Sequence, residues 1–375
     1  MIDVSKQVDM TPFLRKIERN MERFDRRIFP GTAKDGKYSD STQSFLEMYH
    51  WTNSFFTGMV FYAHELTKDK KYLKYLQGYE PLYRAKVFEK PLETMHDLGF
   101  LYSLYSVAMY KTTGDLRARE TALKAADELA KRFNVRGNYI QAWGKMSRSE
   151  GNFCGWMIAD CMMNLPLLYW AWKETGHTFY RDVANEHAKT NSKYIVREDR
   201  TVAHAYAFDP DSGEPLGERN DCGAAVGSYW ARGTSWQIYG YALAYRYTGQ
   251  PDFLETAERV ADRYLEELGN AGVPIWDFRL PEGTPDDPDP TASVVVACGL
   301  LELARHVGAK GERYRSAAER MVSAVSQPEF CSWDETYESI VIVRQQDGTV
   351  RSGIWGDYFF LEATLRLRGA PQIYW

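Results

Sequence analysis

One two-helix unit recurs along this chain, and the recurrence restricts the possible folds more than any other feature of the sequence. An apolar helix ends at a Thr-Gly-like stop and an amphipathic helix follows it. The clearest copies are "LYSLYSVAMYKTTGDLRARETALKAADELAKRF", "LPLLYWAWKETGHTFYRDVANEHAKTNSKYI" and "IYGYALAYRYTGQPDFLETAERVADRYLEEL". Fainter copies are "MVFYAHELTKDKKYLKYL" and "GLLELARHVGAKGERYRSAAERMVSAV", and "YFFLEATLRLRG" supplies a last apolar helix, which makes six units.

In each unit the first helix is apolar nearly all round, as burial requires, while the second carries charge on one face and Ala and Leu on the other. Six such hairpins predict an all-α fold, an (α/α)6 barrel closed as a toroid, with residues 1–375 forming one domain. The alternative is an open solenoid of the tetratricopeptide kind, whose units run near 34 residues. Here Gly114 and Gly176 are 62 residues apart and Gly176 and Gly249 are 73 apart, so the barrel with elaborated loops is favoured. "ESIVIVRQQDGTVRSG" alternates β-branched residues around "QQDG" and predicts a small β-hairpin near the C-terminus. "RTVAHAYAFDPDSGEPLGERNDCGAAVGSYW" and "PIWDFRLPEGTPDDPDPTAS" read as long loops, the usual carriers of binding residues.

The same register places chemistry on one rim. Counting back 16 or 17 residues from Gly114, Gly176, Gly249 and Lys68 reaches Asp97, Asp160, Arg232 and Trp51; the same count from Gly308 and Gly369 reaches Thr291 and Ser352. In a toroid these are the N-terminal ends of the inner helices, whose partial positive charges converge and suit an anionic ligand. Two carboxylates, an arginine and a tryptophan are the components of an acid/base site for a charged, ring-shaped substrate. The alternative is that Asp97 and Asp160 are independent N-caps and Arg232 is a loop ion pair.

Composition narrows the ligand. Aromatic residues make up 14% of the chain, with 25 Tyr and 11 Trp, enough to line a groove of the kind that binds sugars, although most rings must be ordinary packing. A net charge of −5 without any Lys/Arg block argues against nucleic-acid and membrane partners. Five cysteines (Cys154, Cys161, Cys222, Cys298, Cys331) fit neither CxxC nor metal spacing and read as reduced, mostly buried thiols. His50, His64, His177, His187 and His306 form no ligand cluster, so no metal and no cofactor is expected. No apolar run approaches the roughly 18 residues of a membrane span, and "MIDVSKQVDMTPFLRK" lacks a signal-peptide core. The expected location is the cytoplasm, or the periplasm if a leader has been removed, with the protein a monomer or weak homo-oligomer.

Around the rim the local sequence becomes specific. "HDLGFLYSL" (96–104), "IQAWG" (140–144), "ADCMMNLPLLYWA" (159–171), "WARGTSWQIYGYA" (230–242), "TASVVVACGLLE" (291–302) and "WGDYFFLEATLRL" (355–367) together resemble the unsaturated glucuronyl hydrolases, glycoside hydrolase family 88. The resemblance implies the same (α/α)6 barrel. It further implies a substrate left by a polysaccharide lyase, whose non-reducing uronate carries a C4=C5 double bond that the enzyme hydrates. By the same resemblance Asp160 is the general acid/base, in apolar flanks that would raise its pKa, and Asp97 is the second required carboxylate. Arg232 matches a substrate-binding arginine and is flanked by Trp230 and Trp236, while Trp51 and Trp143 match aromatic positions that stack on sugar faces, with core packing the rival role for each tryptophan. His204 matches a pocket histidine, and His96 either bonds a substrate hydroxyl or is a satisfied rim histidine. Asp357 reads as a helix cap or rim contact.

Two departures bear on the reducing-side subsite: Asp221 and Cys222 stand where His and Gln are expected, and Met95 where a second His can occur. Arg344, Arg351 and Ser352 are candidates for sulfate selectivity. The rivals are an unsaturated rhamnogalacturonyl hydrolase acting on pectin fragments, an epimerase of the N-acylglucosamine type on the same barrel, and a non-catalytic glycan-binding toroid. An ordinary inverting glycosidase also uses two carboxylates, so the pair alone does not separate hydration from direct hydrolysis.

Overall fold

Four of the expected stops are left-handed turns: Lys68, Gly114, Gly176 and Gly249 follow their helices at φ of 59°, 74°, 73° and 68°. Glycine reaches this region without a Cβ penalty, which is why three of the four are glycine. The computed structural model describes residues 9–24, 29–42, 44–145, 153–345, 348–370 and 374–375. In chain order the helices are α1 (Thr11–Arg23), α2 (Phe55–Thr67), α3 (Lys70–Leu76), α4 (Glu80–Phe88) and α5 (Leu98–Tyr102). A π-helical segment (Ser103–Val107) continues α5 into α6 (Ala108–Thr113). Then come α7 (Leu116–Ala130), α8 (Leu165–Thr175), α9 (Thr178–Tyr194), α10 (Ala231–Thr248), α11 (Pro251–Leu268), α12 (Pro290–Leu303), α13 (Gly311–Val325) and α14 (Ile354–Leu367).

The apolar helices α2, α5 with α6, α8, α10, α12 and α14 form an inner ring in which each packs on the next and α14 returns to α2. The outer ring is α3 with α4, α7, α9, α11 and α13, and its sixth place is taken by α1. Phe13 of α1 lies 5.3 Å from Phe360 of α14, ring to ring. The expected toroid is therefore present, but the partner of the last apolar helix comes from the opposite end of the sequence. Two stops sit off register: α12 ends at Leu303, before Gly308, and α14 ends at Leu367, before Gly369.

Short strands decorate one rim: β1 (Pro30–Lys34), β2 (Lys37–Asp40), β3 (Phe133–Asn134), β4 (Tyr139–Ile140), β5 (Trp156–Ile158), β6 (Ala205–Phe208), β7 (Pro215–Arg219), β8 (Val343–Arg344) and β9 (Val350–Gly353). The expected C-terminal hairpin is β8–β9; its turn residues Gln346 and Asp347 lie outside the described residues. It belongs to a larger antiparallel sheet, β2-β1-β9-β8, in which Lys34 pairs with Arg351. The stretch read as a loop from Arg200 onward contains β6 and β7, which pair with β5 in a second sheet. Asp357 is neither an N-cap nor a rim contact. It is fully buried in the first turn of α14, and its carboxyl accepts from Tyr38 Oη at 2.6 Å and Val341 N at 2.7 Å, holding the first sheet to the barrel.

The far end of the barrel is sealed by buried ions. Arg366 reaches Glu302 at 2.9 Å and Glu362 at 2.8 Å, and Trp375 Nε1 donates to Glu362 at 2.9 Å. Buried charges hold only when paired in this way. None of the five cysteines forms a disulfide among the described residues; Cys161, Cys298 and Cys331 are buried, Cys154 half-buried and Cys222 exposed. Among the described residues no helix is long and apolar enough to cross a membrane.

Candidate active site

Asp97 occupies the N-cap position of α5, yet its side chain caps nothing. The cap is delivered from elsewhere: Asn164 Oδ1, at the start of α8, accepts the Phe100 N–H at 2.8 Å. Gly99 permits that approach, because a Cβ there would lie 2.2 Å from the Asn164 Cα. The helix end is thus satisfied by a neighbour, which spares the Asp97 carboxyl from capping although it is 95% buried; the Asn164 side chain beside it favours its charged form. Asp160 lies in a 3-10 turn (Ala159–Met163) between β5 and α8 and likewise makes no cap bond. Gln237 of α10 pins that turn by donating to Ala159 O at 2.7 Å.

Burial pushes both carboxyls up, Asp97 to about 8 and Asp160 to about 7. The Asp160 charge raises Asp97 further, while the Arg232 guanidinium opposes the rise at Asp160. Carboxyls raised this far toward neutrality are able to carry a proton at the pH where enzymes work. Asp160 Oδ2 has no hydrogen-bond partner among the described residues.

The histidines cannot be that proton source. His96 is buried and held well below its usual range, first by desolvation and then by Arg132, and His204 is pushed down to about 3 by burial. Both are therefore neutral. His204 Nδ1 accepts the backbone N–H groups of Asp221 and Cys222 at 3.0 and 3.3 Å. Its proton consequently sits on Nε2, which is buried without an acceptor among the described residues. Both ring nitrogens of His96 likewise lack hydrogen-bond partners among the described residues, with Nε2 3.4 Å from Asp97 Oδ1.

The tryptophans divide into two sets. Trp51 and Trp143 are half-buried at the rim. Trp51 packs 4.9 Å from Trp355 and 6.2 Å from Trp236, and Trp143 packs 5.7 Å from His204. Trp230 and Trp236 are buried and form the layer behind. Trp230 meets His204 edge to face at 5.1 Å and lies 4.8 Å from the Arg232 guanidinium. The Trp236 indole favours the charged form of Asp160, and its N–H has no completed hydrogen bond.

Arg232 stands in the first turn of α10, and its Nη1 contacts Asp289 Oδ2 at a loose 3.3 Å. With Trp355 it borders a cavity of about 850 Å³ that runs along β1 and β9; neither carboxyl is among the residues that line it. Residues unnoticed in the sequence complete the site: Asn164 as a cap supplied across helices, Gln237 as an anchor, Asp289 beside Arg232, and Trp355 between Trp51 and Arg232. Only Trp355 carried a signal, a tryptophan just ahead of the last inner helix.

A helical toroid whose rim brings two raised carboxyls together with an arginine and half-buried tryptophans defines a glycosidase-type enzyme. The family model described as Glycosyl Hydrolase Family 88 matches residues 21–270. The chain is 36% identical to the unsaturated glucuronyl hydrolase of Bacillus sp. (strain GL1), covering 95% of each. It is 30% identical to the unsaturated chondroitin disaccharide hydrolase of Streptococcus pneumoniae (strain ATCC BAA-255 / R6), covering 100% of this chain and 94% of the relative. The crystal structure of the Bacillus sp. GL1 unsaturated glucuronyl hydrolase superposes with a TM-score of 0.88 at 34% identity, covering 96% of both chains. The chain belongs to glycosyl hydrolase family 88, and the toroid expected from the repeat is the fold of these relatives.

Proposed function

We propose that this enzyme removes a 4,5-unsaturated uronate from the non-reducing end of polysaccharide-lyase products by hydrating the C4=C5 enol ether, with Asp160 as acid and base. The observation that carries the proposal is the group of buried polar atoms left without partners at one rim: Asp160 Oδ2, both His96 nitrogens, His204 Nε2, Trp236 Nε1 and Gln237 Oε1. Each such group costs about 1–3 kcal/mol if nothing meets it, and these six lie around two raised carboxyls and an arginine, an arrangement suited to a polyhydroxylated, anionic occupant and a water.

The chemistry follows from the proton inventory. Protonated Asp160 gives its proton to C4; the C4=C5 π pair forms the new C–H bond and positive charge develops at C5 and the ring oxygen. Asp160, now a carboxylate, takes a proton from water as the water oxygen bonds to C5. The hemiketal opens to a C5 ketone, the freed C1 hemiacetal collapses, and the leaving sugar departs as an alcohol. The proton is returned, so the cycle is balanced. Asp97 tunes the proton on Asp160 and accepts from sugar hydroxyls, Arg232 meets the uronate carboxylate, and His204 Nε2–H donates to the sugar. Trp51 and Trp143 supply faces for stacking.

The relatives' names favour glycosaminoglycan products over pectin fragments. Neutral His96 and His204 weigh against an epimerase that relies on paired imidazoles. Lys34 and Arg351 stand directly opposite each other across β1 and β9 on the cavity wall, with Ser352 beside them, while Arg344 is exposed and outside it. Like charges placed so are mutually destabilising, and an anionic substituent on the reducing-side sugar relieves the repulsion. The test is a panel of unsaturated chondroitin, hyaluronan, heparin and pectin disaccharides followed by ultraviolet absorbance. Decay on the glycosaminoglycan members that Asp160→Asn loses is the expected result; a flat trace across the panel overturns the assignment.

A further inference from the structure

We infer that Arg132 is a positioning residue for this site: from outside the pocket it locks the Asp97 segment to the Trp143 loop and supplies the fixed cation that faces Asp97. Arg132 lies two residues past the end of α7 and is 96% buried, and no carboxylate pairs with it among the described residues. Its guanidinium is spent on main-chain carbonyls instead. Nη1 donates to Thr94 O at 2.9 Å, Nε to Gln141 O at 2.9 Å, and Nη2 to Ala142 O, Trp143 O and Gly144 O at 3.1, 3.3 and 2.8 Å. One planar fork therefore spans the stretch that delivers His96 and Asp97 and the stretch that delivers Trp143. The His96 N–H closes the arrangement on Ala142 O at 3.2 Å.

A fork of this kind satisfies five acceptors in fixed geometry, which the three donors of a lysine cannot do. The charge has a second effect, because a buried guanidinium with no ion-pair partner acts on whatever ionises nearby. Asp97 is faced by Asp160, Cys161, His96, Lys86 and Arg132. His96 is neutral, and burial holds the Cys161 thiol well above its usual range, leaving two cations against two carboxyls. Lys86 is pushed down to about 8 by burial, whereas Arg132 at about 10 stays charged throughout the working range. Arg132 is thus the permanent counter-charge that keeps Asp97 ionisable.

This inference rests on the carboxyl pair being the reacting pair, which loss of turnover in Asp160→Asn and Asp97→Asn, with wild-type turnover present, establishes separately. Two variants divide the roles of Arg132. Arg132→Lys keeps the charge and loses the fork; Lys86, buried on the carbonyls of Phe45, Glu47 and Glu93, shows that this protein tolerates such a lysine. It is expected to lower kcat/KM by about ten- to a hundredfold through misplacement, with the pH profile in its original position. Arg132→Gln removes the charge and is expected to move the pH–rate profile upward by roughly half a unit or more, because the Asp97 carboxyl rises when its cation goes. If Arg132→Gln does not fold, Arg132→Lys carries the test through its kcat/KM and pH profile. Both variants active with wild-type kcat/KM and an unmoved profile would overturn the inference, as would failure of both to fold, which marks a purely architectural residue.

Discussion

Replacing Asp97 by Asn should stabilise the fold, and by an amount that grows with pH. The carboxyl titrates near 3.8 in an unfolded chain and is raised to about 8 in the folded one, chiefly by burial. A group raised on folding leaves stability intact below its unfolded pKa and erodes it as pH climbs toward the folded pKa. Each pH unit between the two values removes about 1.4 kcal/mol. At pH 5 the loss is on the order of 2 kcal/mol, and above pH 8 it levels off on the order of 6 kcal/mol. Asn fills the same volume and does not ionise, so its advantage over wild type should widen by about 4 kcal/mol between pH 5 and pH 9. With an unfolding entropy of roughly 2 cal/mol/K per residue, that is about 5 °C in Tm for this chain. Thermal melts of both proteins at the two pH values make the comparison, and turnover should be lost in the variant at either pH. An equal difference in Tm at pH 5 and pH 9, or a variant less stable at pH 9, would refute the claim that Asp97 is held protonated by burial.

Asn164→Ala removes the cap that Phe100 N–H receives from α8 and leaves that donor buried; the expected loss is about 1–3 kcal/mol, read by denaturant titration, and a change under 0.5 kcal/mol speaks against capping across helices. Arg232→Lys keeps the charge but not the two-pronged contact, so KM for unsaturated uronates should rise about tenfold with a smaller change in kcat; steady-state kinetics showing a loss confined to kcat would remove Arg232 from carboxylate binding.

Much of the architecture was written in the chain because buried inner helices are apolar all round and their stops need left-handed backbone. Gly114, Gly176 and Gly249 could be read as ends, and counting back from them found Asp97, Asp160 and Arg232 on one rim. What could not be read depends on pairing across long separations. Nothing local says that α1 completes the outer ring beside α14, or that Lys34 lies opposite Arg351. Asn164 looks like an ordinary residue ahead of a helix until Gly99 brings α5 against it. Trp230 and Trp236 resemble Trp51 in sequence, and only packing tells that the first two are buried and the third half-exposed. The 200–219 stretch has the Gly, Pro and Asp of a loop, yet "AYAF" forms a strand because β5 offers it an edge.

The central claim is that the double bond is consumed in the same event that frees the leaving sugar. Following absorbance of the conjugated double bond and the new reducing end together, on an unsaturated chondroitin disaccharide, tests it most directly. Hydration by Asp160 predicts that absorbance falls one for one with sugar release, that a saturated uronyl disaccharide is left intact, and that Asp160→Asn does neither. Release of the sugar while absorbance persists would show direct cleavage of the glycosidic bond and contradict the mechanism.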